Sequence, residues 1–261
     1  MQNKKILFIS TNIYPIVGGD TIYTAGLIYR LSQKNNLRVL TLGRNKNFVN
    51  HPIYKNVEII SFSKLTGLFY KIIKLLFNNS LLQEYSFGIK NFLKNEKLNI
   101  YDYIILDHLR CYSISKNIFK IDRTKTKIIY VAHNVESINQ TEKLQALSKK
   151  KFLSKLSNNV HSIEQKMINS CDSVWTLNKD DLRIITKSHH INNKVIKPYF
   201  PWKRIKFNNK KNCVTKEILI LGSLNWYPNI KGVLHFVNDI FPLILNKNNS
   251  IVLNIVGQNP S

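Results

Sequence analysis

The stretch Lys127-Ile128-Ile129-Tyr130-Val131-Ala132-His133-Asn134-Val135-Glu136-Ser137 decides how this chain is read. Ile128 to Ala132 is an unbroken apolar run, short for a helix and without polar alternation, as a strand buried on both faces of a parallel sheet would be. The run empties into His133-Asn134-Val135-Glu136, so titratable groups stand just past the strand's carboxyl end. In open parallel α/β sheets ligands collect in that crevice, which makes His133 and Glu136 candidates for chemistry. The alternative, that these polar residues only cap the next helix, stays open on this stretch alone.

The same short apolar runs recur on both sides. Strands are expected at Lys5–Ser10, Leu37–Gly43, Val57–Phe62, Tyr101–Asp107, Lys127–Ala132, Ser173–Leu177 and Val195–Pro198. Helices are expected near Thr21–Gln33, Lys64–Phe77, Leu81–Lys94, Cys111–Phe119, Thr141–Asn169 and Lys179–Thr186. Strands alternating with helical stretches make βαβ units, hence an α/β fold with a parallel sheet covered on both faces. The pattern breaks over residues 201–216, rich in Lys and Asn, which read as a linker after a domain at 1–200. A second unit, 217–261, offers a strand at Glu217–Leu221, a loop from Gly222 to Asn229, a helix at Ile230–Leu245 and a strand at Ser250–Val256. One βαβ unit cannot cover both faces of a parallel pair, so this domain is expected to be incomplete.

The 261 residues are 44% hydrophobic, ample for a packed core. Lys and Arg number 39 against 15 Asp and Glu, a net charge of +24 that favours an anionic partner. The charges are dispersed rather than gathered beside aromatic residues, so nucleic acid is not the partner expected. Cys111, Cys171 and Cys213 are far apart and form no C-x-x-C, the usage of reduced thiols in the cytoplasm. The apolar run after Met1 is too short for a signal sequence, and no run approaches the roughly 18 apolar residues of a membrane span. Lys64–Phe77 places its Leu, Ile and Phe residues on one helical half and Lys64, Lys71 and Lys74 on the other. Such a stripe ordinarily packs on a sheet; a basic amphipathic helix can also rest on an anionic membrane.

After the first strand, Thr11 to Asp20 carries Gly18-Gly19 just before a helix. Adjacent glycines let backbone N–H groups approach an anion, and the helix N-terminus adds partial positive charge, which suits a diphosphate. Neither G-x-G-x-x-G nor G-x-x-x-x-G-K-[ST] is present, and a plain β-α turn with Asp20 as N-cap reads as well. His161 and Glu164, one helical turn apart, lack a third ligand and read as a solvated helix face, Trp175 reads as core, and no metal site is expected.

Gly18-Gly19, Asp107-His108, His133-Asn134-Val135-Glu136-Ser137, Cys171 to Asp181 and Leu221-Gly222-Ser223-Leu224-Asn225-Trp226-Tyr227-Pro228-Asn229 follow one another in order. This succession resembles bacterial glycosyltransferases of the GT-B fold, specifically family 4-like sugar transferases of polysaccharide and O-antigen clusters. The resemblance implies a Rossmann-like acceptor-side domain and a Rossmann-like nucleotide-sugar domain facing each other across a cleft. It implies donor contacts from Gly18, Gly19, Gly222, Ser223 and Asn225, acceptor contacts from Asp107, His108 and Asn134, and catalytic roles for His133 and Glu136. Transfer would retain configuration without a metal or other cofactor, the nucleotide-sugar being a substrate. The acceptor would be a glycan or a lipid-linked sugar, met in the cytoplasm or at the inner face of an anionic membrane. The family's basic pair for the diphosphate and its two glutamates fall beyond Ser261, so the resemblance also implies a truncated donor domain and poor turnover by this chain alone. The alternative expectation is a non-catalytic remnant, or half of a split gene, that binds acceptor or a partner chain.

Overall fold

The computed structural model describes residues 1–43, 51–63, 86–139, 141, 150–186, 192–202, 216–224 and 226–258. The chain divides into two compact units, Met1–Pro201 and Trp202–Ser261. The first is built on seven parallel strands: β1 (Lys5–Ser10), β2 (Asn36–Leu42), β3 (Glu58–Phe62), β4 (Tyr103–Asp107), β5 (Lys127–Ala132), β6 (Ser173–Thr176) and β7 (Lys194–Val195). They lie in the order β3-β2-β1-β4-β5-β6-β7. The order reverses between β1 and β4, where Ser10 is in register with Asp107.

Alternate residues of each strand enter opposite halves of the core. Leu7, Ile9, Leu40, Ile104, Leu106, Ile128 and Tyr130 face one way, and Ile6, Phe8, Val39, Ile105, Ile129 and Val131 the other. Because both sets are buried, the strands are written as continuous apolar runs. Helix α1 (Gly19–Ser32) closes the second face with Tyr23, Ala25, Leu27, Ile28 and Leu31. Helices α2 (Phe87–Asn95), through Ile89 and Leu93, and α3 (Lys150–Asn169), through Val160, Ile163 and Met167, close the first. Each such side chain, fully buried, stabilises the fold by about 1.5–3 kcal/mol before conformational entropy is charged against it. Helix α4 (Lys179–Thr186) follows β6 and opens with Asp180 and Asp181 at its positive end.

Some expectations give way. The helix expected at Cys111–Phe119 is two 3₁₀ turns, Leu109–Cys111 and Ile118–Lys120. The Cys111 carbonyl accepts from both the N–H and the hydroxyl of Ser115, and the next turn bonds from Ile118 N–H to the Ser115 carbonyl, an i→i−3 bond. Strand β7 ends at Val195 although Ile196 N–H still bonds to Thr176, because Pro198 has no N–H to extend an edge strand. The helix expected at Leu81–Lys94 is described from Phe87, with Ser86 as its N-cap. The segment Lys64–Phe77 lies outside the described residues.

The second unit contains β8 (Glu217–Leu221) and β9 (Val252–Val256) as a parallel pair, joined through α5 (Tyr227–His235), a π turn (Phe236–Ile240) and α6 (Phe241–Lys247). The single helix expected over Ile230–Leu245 is thus interrupted. Pro242, in the first turn of α6, lacks the N–H for the upstream bond, and the π turn absorbs the missing donor. Gly222 and Gly257 bring the two strand ends together so closely that a Cβ on Gly257 would stand 1.9 Å from the Gly222 carbonyl.

Candidate active site at the switch point

The crevice where strand order reverses is built from the carboxyl ends of β1, β4 and β5 and from the first turns of α1. Asp107, the last residue of β4, is fully buried. Its Oδ2 accepts from the hydroxyls of Ser10, on β1, at 2.7 Å and Thr24, on α1, at 2.9 Å. Its Oδ1 lies 2.8 Å from Nε2 of His133, the first residue after β5. Burial alone would push the Asp107 carboxyl up; the neighbouring His133 and His108, together with bonds from His133 and Ser10, bring it down to about 2. Asp107 is therefore an ionised acceptor at neutral pH, and Nε2 of His133 carries the proton between them. Among the described residues no hydrogen bond is made to Nδ1 of His133.

Three side chains enclose the His133 imidazole. Tyr23, from α1, meets it edge to face at 4.9 Å, and its hydroxyl donates to the Ile196 carbonyl. His108 stacks on the ring, with centroids 3.5 Å apart and planes 21° from parallel. Asp107, His108 and His133 offer three ligand-type atoms within 4.8 Å of one another. Metal ligation needs lone pairs that converge in the ring planes. Near-parallel stacked rings send theirs side by side.

The Gly18-Gly19 turn borders this crevice, because α1 supplies Thr24 and Tyr23 to it and Asp20 lies close enough to His108 to raise its proton affinity. Gly18 is the N-cap, and the Thr21 hydroxyl accepts from the N–H groups of Val17 and Gly18. Asp20 lies inside the first turn and accepts from Thr21 N–H, so the reading of Asp20 as N-cap is corrected. A Cβ on Gly19 would meet nothing within 4 Å. Its bare backbone is not demanded by packing within the protein.

Asn134 is exposed at the mouth of the crevice and Glu136 is half-buried behind it. Burial pushes the Glu136 carboxyl above its ordinary value; Arg110 pulls it down, Glu164 adds to the rise and His133 opposes it. Arg110 and Glu164 are the neighbours that reading the sequence missed. Glu164, expected on a solvated face, is buried on α3 and accepts from Glu136 N–H at 2.7 Å, from Ser137 N–H at 3.2 Å and from the Ser137 hydroxyl at 2.6 Å. A buried carboxylate thus receives the first N–H groups of the helical turn after His133. The signal was present, since Val160, Ile163, Met167 and Ile168 form a stripe that includes position 164; His161, off that stripe, is exposed.

Of the other expected residues, Gly222 and Ser223 belong to the second unit. There a Cβ on Gly222 would stand 3.0 Å from the Asn229 amide, which donates to the Ser223 carbonyl. Asn225 lies outside the described residues. Trp175 is buried in the core beside Val131, as its place in a short strand implies.

Neither a protein-family model nor a curated protein matches the sequence. Among solved structures, the chain is similar to a point mutant of Staphylococcus aureus TarM in complex with fondaparinux, α-GlcNAc-glycerol and UDP, with a TM-score of 0.54 at 11% identity over 97% of this chain and 72% of that one. It is similar to sucrose-phosphate synthase of Thermosynechococcus elongatus, with a TM-score of 0.54 at 12% identity over 99% of this chain and 71% of that one. It is also similar to a Listeria monocytogenes structure assigned as a UDP-N-acetylglucosamine 2-epimerase, with a TM-score of 0.53 at 11% identity over 100% of this chain and 64% of that one. The fold is therefore α/β, Rossmann-like and of the GT-B type. It is shared by transferases and by a protein assigned another chemistry, so function has to be argued from the site.

Proposed function

We propose that the protein is a glycosyltransferase that moves a sugar from a nucleotide-sugar to a glycan or lipid-linked acceptor. The observation that carries this reading is the buried Asp107–His133 pair, 2.8 Å apart, at the sheet's switch point beside the open backbone of Gly19. Glycosyl transfer from a nucleotide donor needs a stabilised diphosphate leaving group and a positioned acceptor hydroxyl more than a strong nucleophile. The α1 N-terminus offers backbone donors and partial positive charge for the first, and Nδ1 of His133, backed by Asp107, offers a hydrogen-bond partner at the reacting centre for the second. Donor contacts are assigned to Gly18, Gly19, Gly222, Ser223 and Asn225, and acceptor contacts to Asn134. Glu136, whose carboxyl burial raises above its ordinary value, is assigned to act beside His133. Asp107, with both oxygens engaged, works through His133.

The presence of UDP in the TarM complex supports a uridine diphosphate-sugar as the first donor to try. Retention of configuration and independence from metal are part of the proposal and rest on the resemblance to family 4-like enzymes. Peripheral contact with an anionic membrane through residues 64–77 is the lesser alternative to packing on the sheet and rests on their basic amphipathic sequence pattern. Among the described residues no helix is long and apolar enough to cross a bilayer.

A second reading is a protein that binds acceptor or a partner chain without turnover. Calorimetric titration with UDP-glucose and with a panel of sugar acceptors, paired with a UDP-release assay over the same panel, separates the readings. UDP release that is lost in His133→Ala supports transfer; acceptor binding without release supports the second reading; binding of neither nucleotide-sugar nor acceptor at millimolar ligand overturns both.

A further inference from the structure

His108 is the residue that the proposed chemistry uses least and the structure constrains most. Its backbone stands at φ 69 and ψ 152, a conformation that residues with a Cβ rarely adopt and that glycine fills by default. The strain is held from both sides. The His108 N–H bonds to the Val131 carbonyl at 3.1 Å, and the His108 carbonyl accepts from Cys111 N–H at 3.1 Å. What this backbone achieves is a side-chain direction, for it turns an imidazole that is 8% exposed back over β5, onto the face of His133.

We propose that His108 is a positioning residue that clamps the His133 ring against Tyr23, so that Nε2 stays on Asp107 and Nδ1 stays available to a ligand. Without the stack, the His133 ring keeps, among the described residues' hydrogen bonds and ring contacts, the Asp107 bond and the Tyr23 edge, and rotation about its terminal torsion is broad. His108 suits the task because burial, reinforced by His133 and Arg110 and opposed by Asp107 and Asp20, holds its proton affinity down to about 3. It is uncharged near neutrality and stacks on His133 without repelling a proton there.

The inference rests on the reading of His133 as the acting group, but its test needs no substrate, so the two fail separately. In the full chain, the His133 Nε2–H proton bonded to Asp107 is followed by NMR at neutral pH in wild type, His108→Phe, His108→Ala and His108→Gly, with melting temperatures measured alongside. A clamp predicts a slowly exchanging, downfield Nε2–H in wild type and in His108→Phe, which restores a flat neutral ring, and its loss to exchange in the Ala and Gly variants. Strain predicts that His108→Gly melts about 2–6 °C above His108→Ala, the reverse of the usual ranking of these two residues. If His108→Ala does not fold, the comparison of Gly with Phe decides the clamp. A protected Nε2–H in the variants that lack a ring, or its loss in His108→Phe, overturns the proposal.

Discussion

Replacing Asp107 by Asn deletes the charge of the crevice at little change in volume. The amide oxygen can still accept from His133 Nε2–H, while the amide nitrogen that then faces the Ser10 and Thr24 hydroxyls can only donate. Folding lowers the Asp107 carboxyl from 3.8 to about 2. At 1.36 kcal/mol per pH unit that difference is about 2 kcal/mol of stability at pH 5 and above. Because the folded value is the lower one, the contribution is present above the unfolded value and fades as pH falls through the folded value, most of it being lost between pH 4 and 2. The side chain is fully buried, so solvent screening takes little of this away. Urea unfolding of wild type and Asp107→Asn at matched pH, followed by near-UV circular dichroism, gives the gap directly; repulsion within a chain of net charge +24 affects both proteins alike. A gap near 2 kcal/mol at pH 6 that closes between pH 4 and 2 is the expected result. A gap constant over that range, or absent at pH 6, would show that Asp107 is not the depressed acid of the His133 pair.

Glu164→Gln leaves one acceptor where the Glu136 and Ser137 N–H groups and the Ser137 hydroxyl now share two, and is expected to lower stability by about 1–3 kcal/mol at pH 7. An unchanged urea midpoint would remove Glu164 from the support of the turn after His133. Gly26→Ala, which in a free helix would stabilise, would put a Cβ 1.9 Å from the backbone oxygen of Tyr199. It is expected to cost about 1–3 kcal/mol and to hasten proteolysis near Pro201; a melting temperature at or above wild type would show that this segment is not seated on α1. Tyr23→Phe gives up the bond to the Ile196 carbonyl but keeps the ring edge on His133. A loss of about 1 kcal/mol with an unmoved His133 Nε2–H is expected, and a displaced imidazole signal would mean the hydroxyl, not the ring, sets the histidine.

The strands were legible because a strand covered on both faces spells itself as an apolar run, and the bounds read for Lys5–Ser10, Lys127–Ala132 and Glu217–Leu221 are those of β1, β5 and β8. Cys111–Phe119 was misread because an apolar period is shared by helices and by chains of 3₁₀ turns, which differ in backbone bonding rather than in residue spacing. Glu164 was misread because its charge was weighed and its place on the α3 stripe was not.

Local chemistry along the chain determines which residues stand at strand ends, so Asp107, His108 and His133 could be named as neighbours of a crevice from their positions alone. What each does there is decided by strand order. Ser10 and Thr24 reach Asp107 across 97 and 83 residues of sequence, which requires β1 to lie against β4 with α1 above them. Hydrogen bonds and ring stacking act over a few ångströms and carry no trace in the spacing of the residues that make them. Burial is also a property of the whole assembly of elements, and it is burial that holds His108 uncharged and leaves Asp107 no partners but its own neighbours.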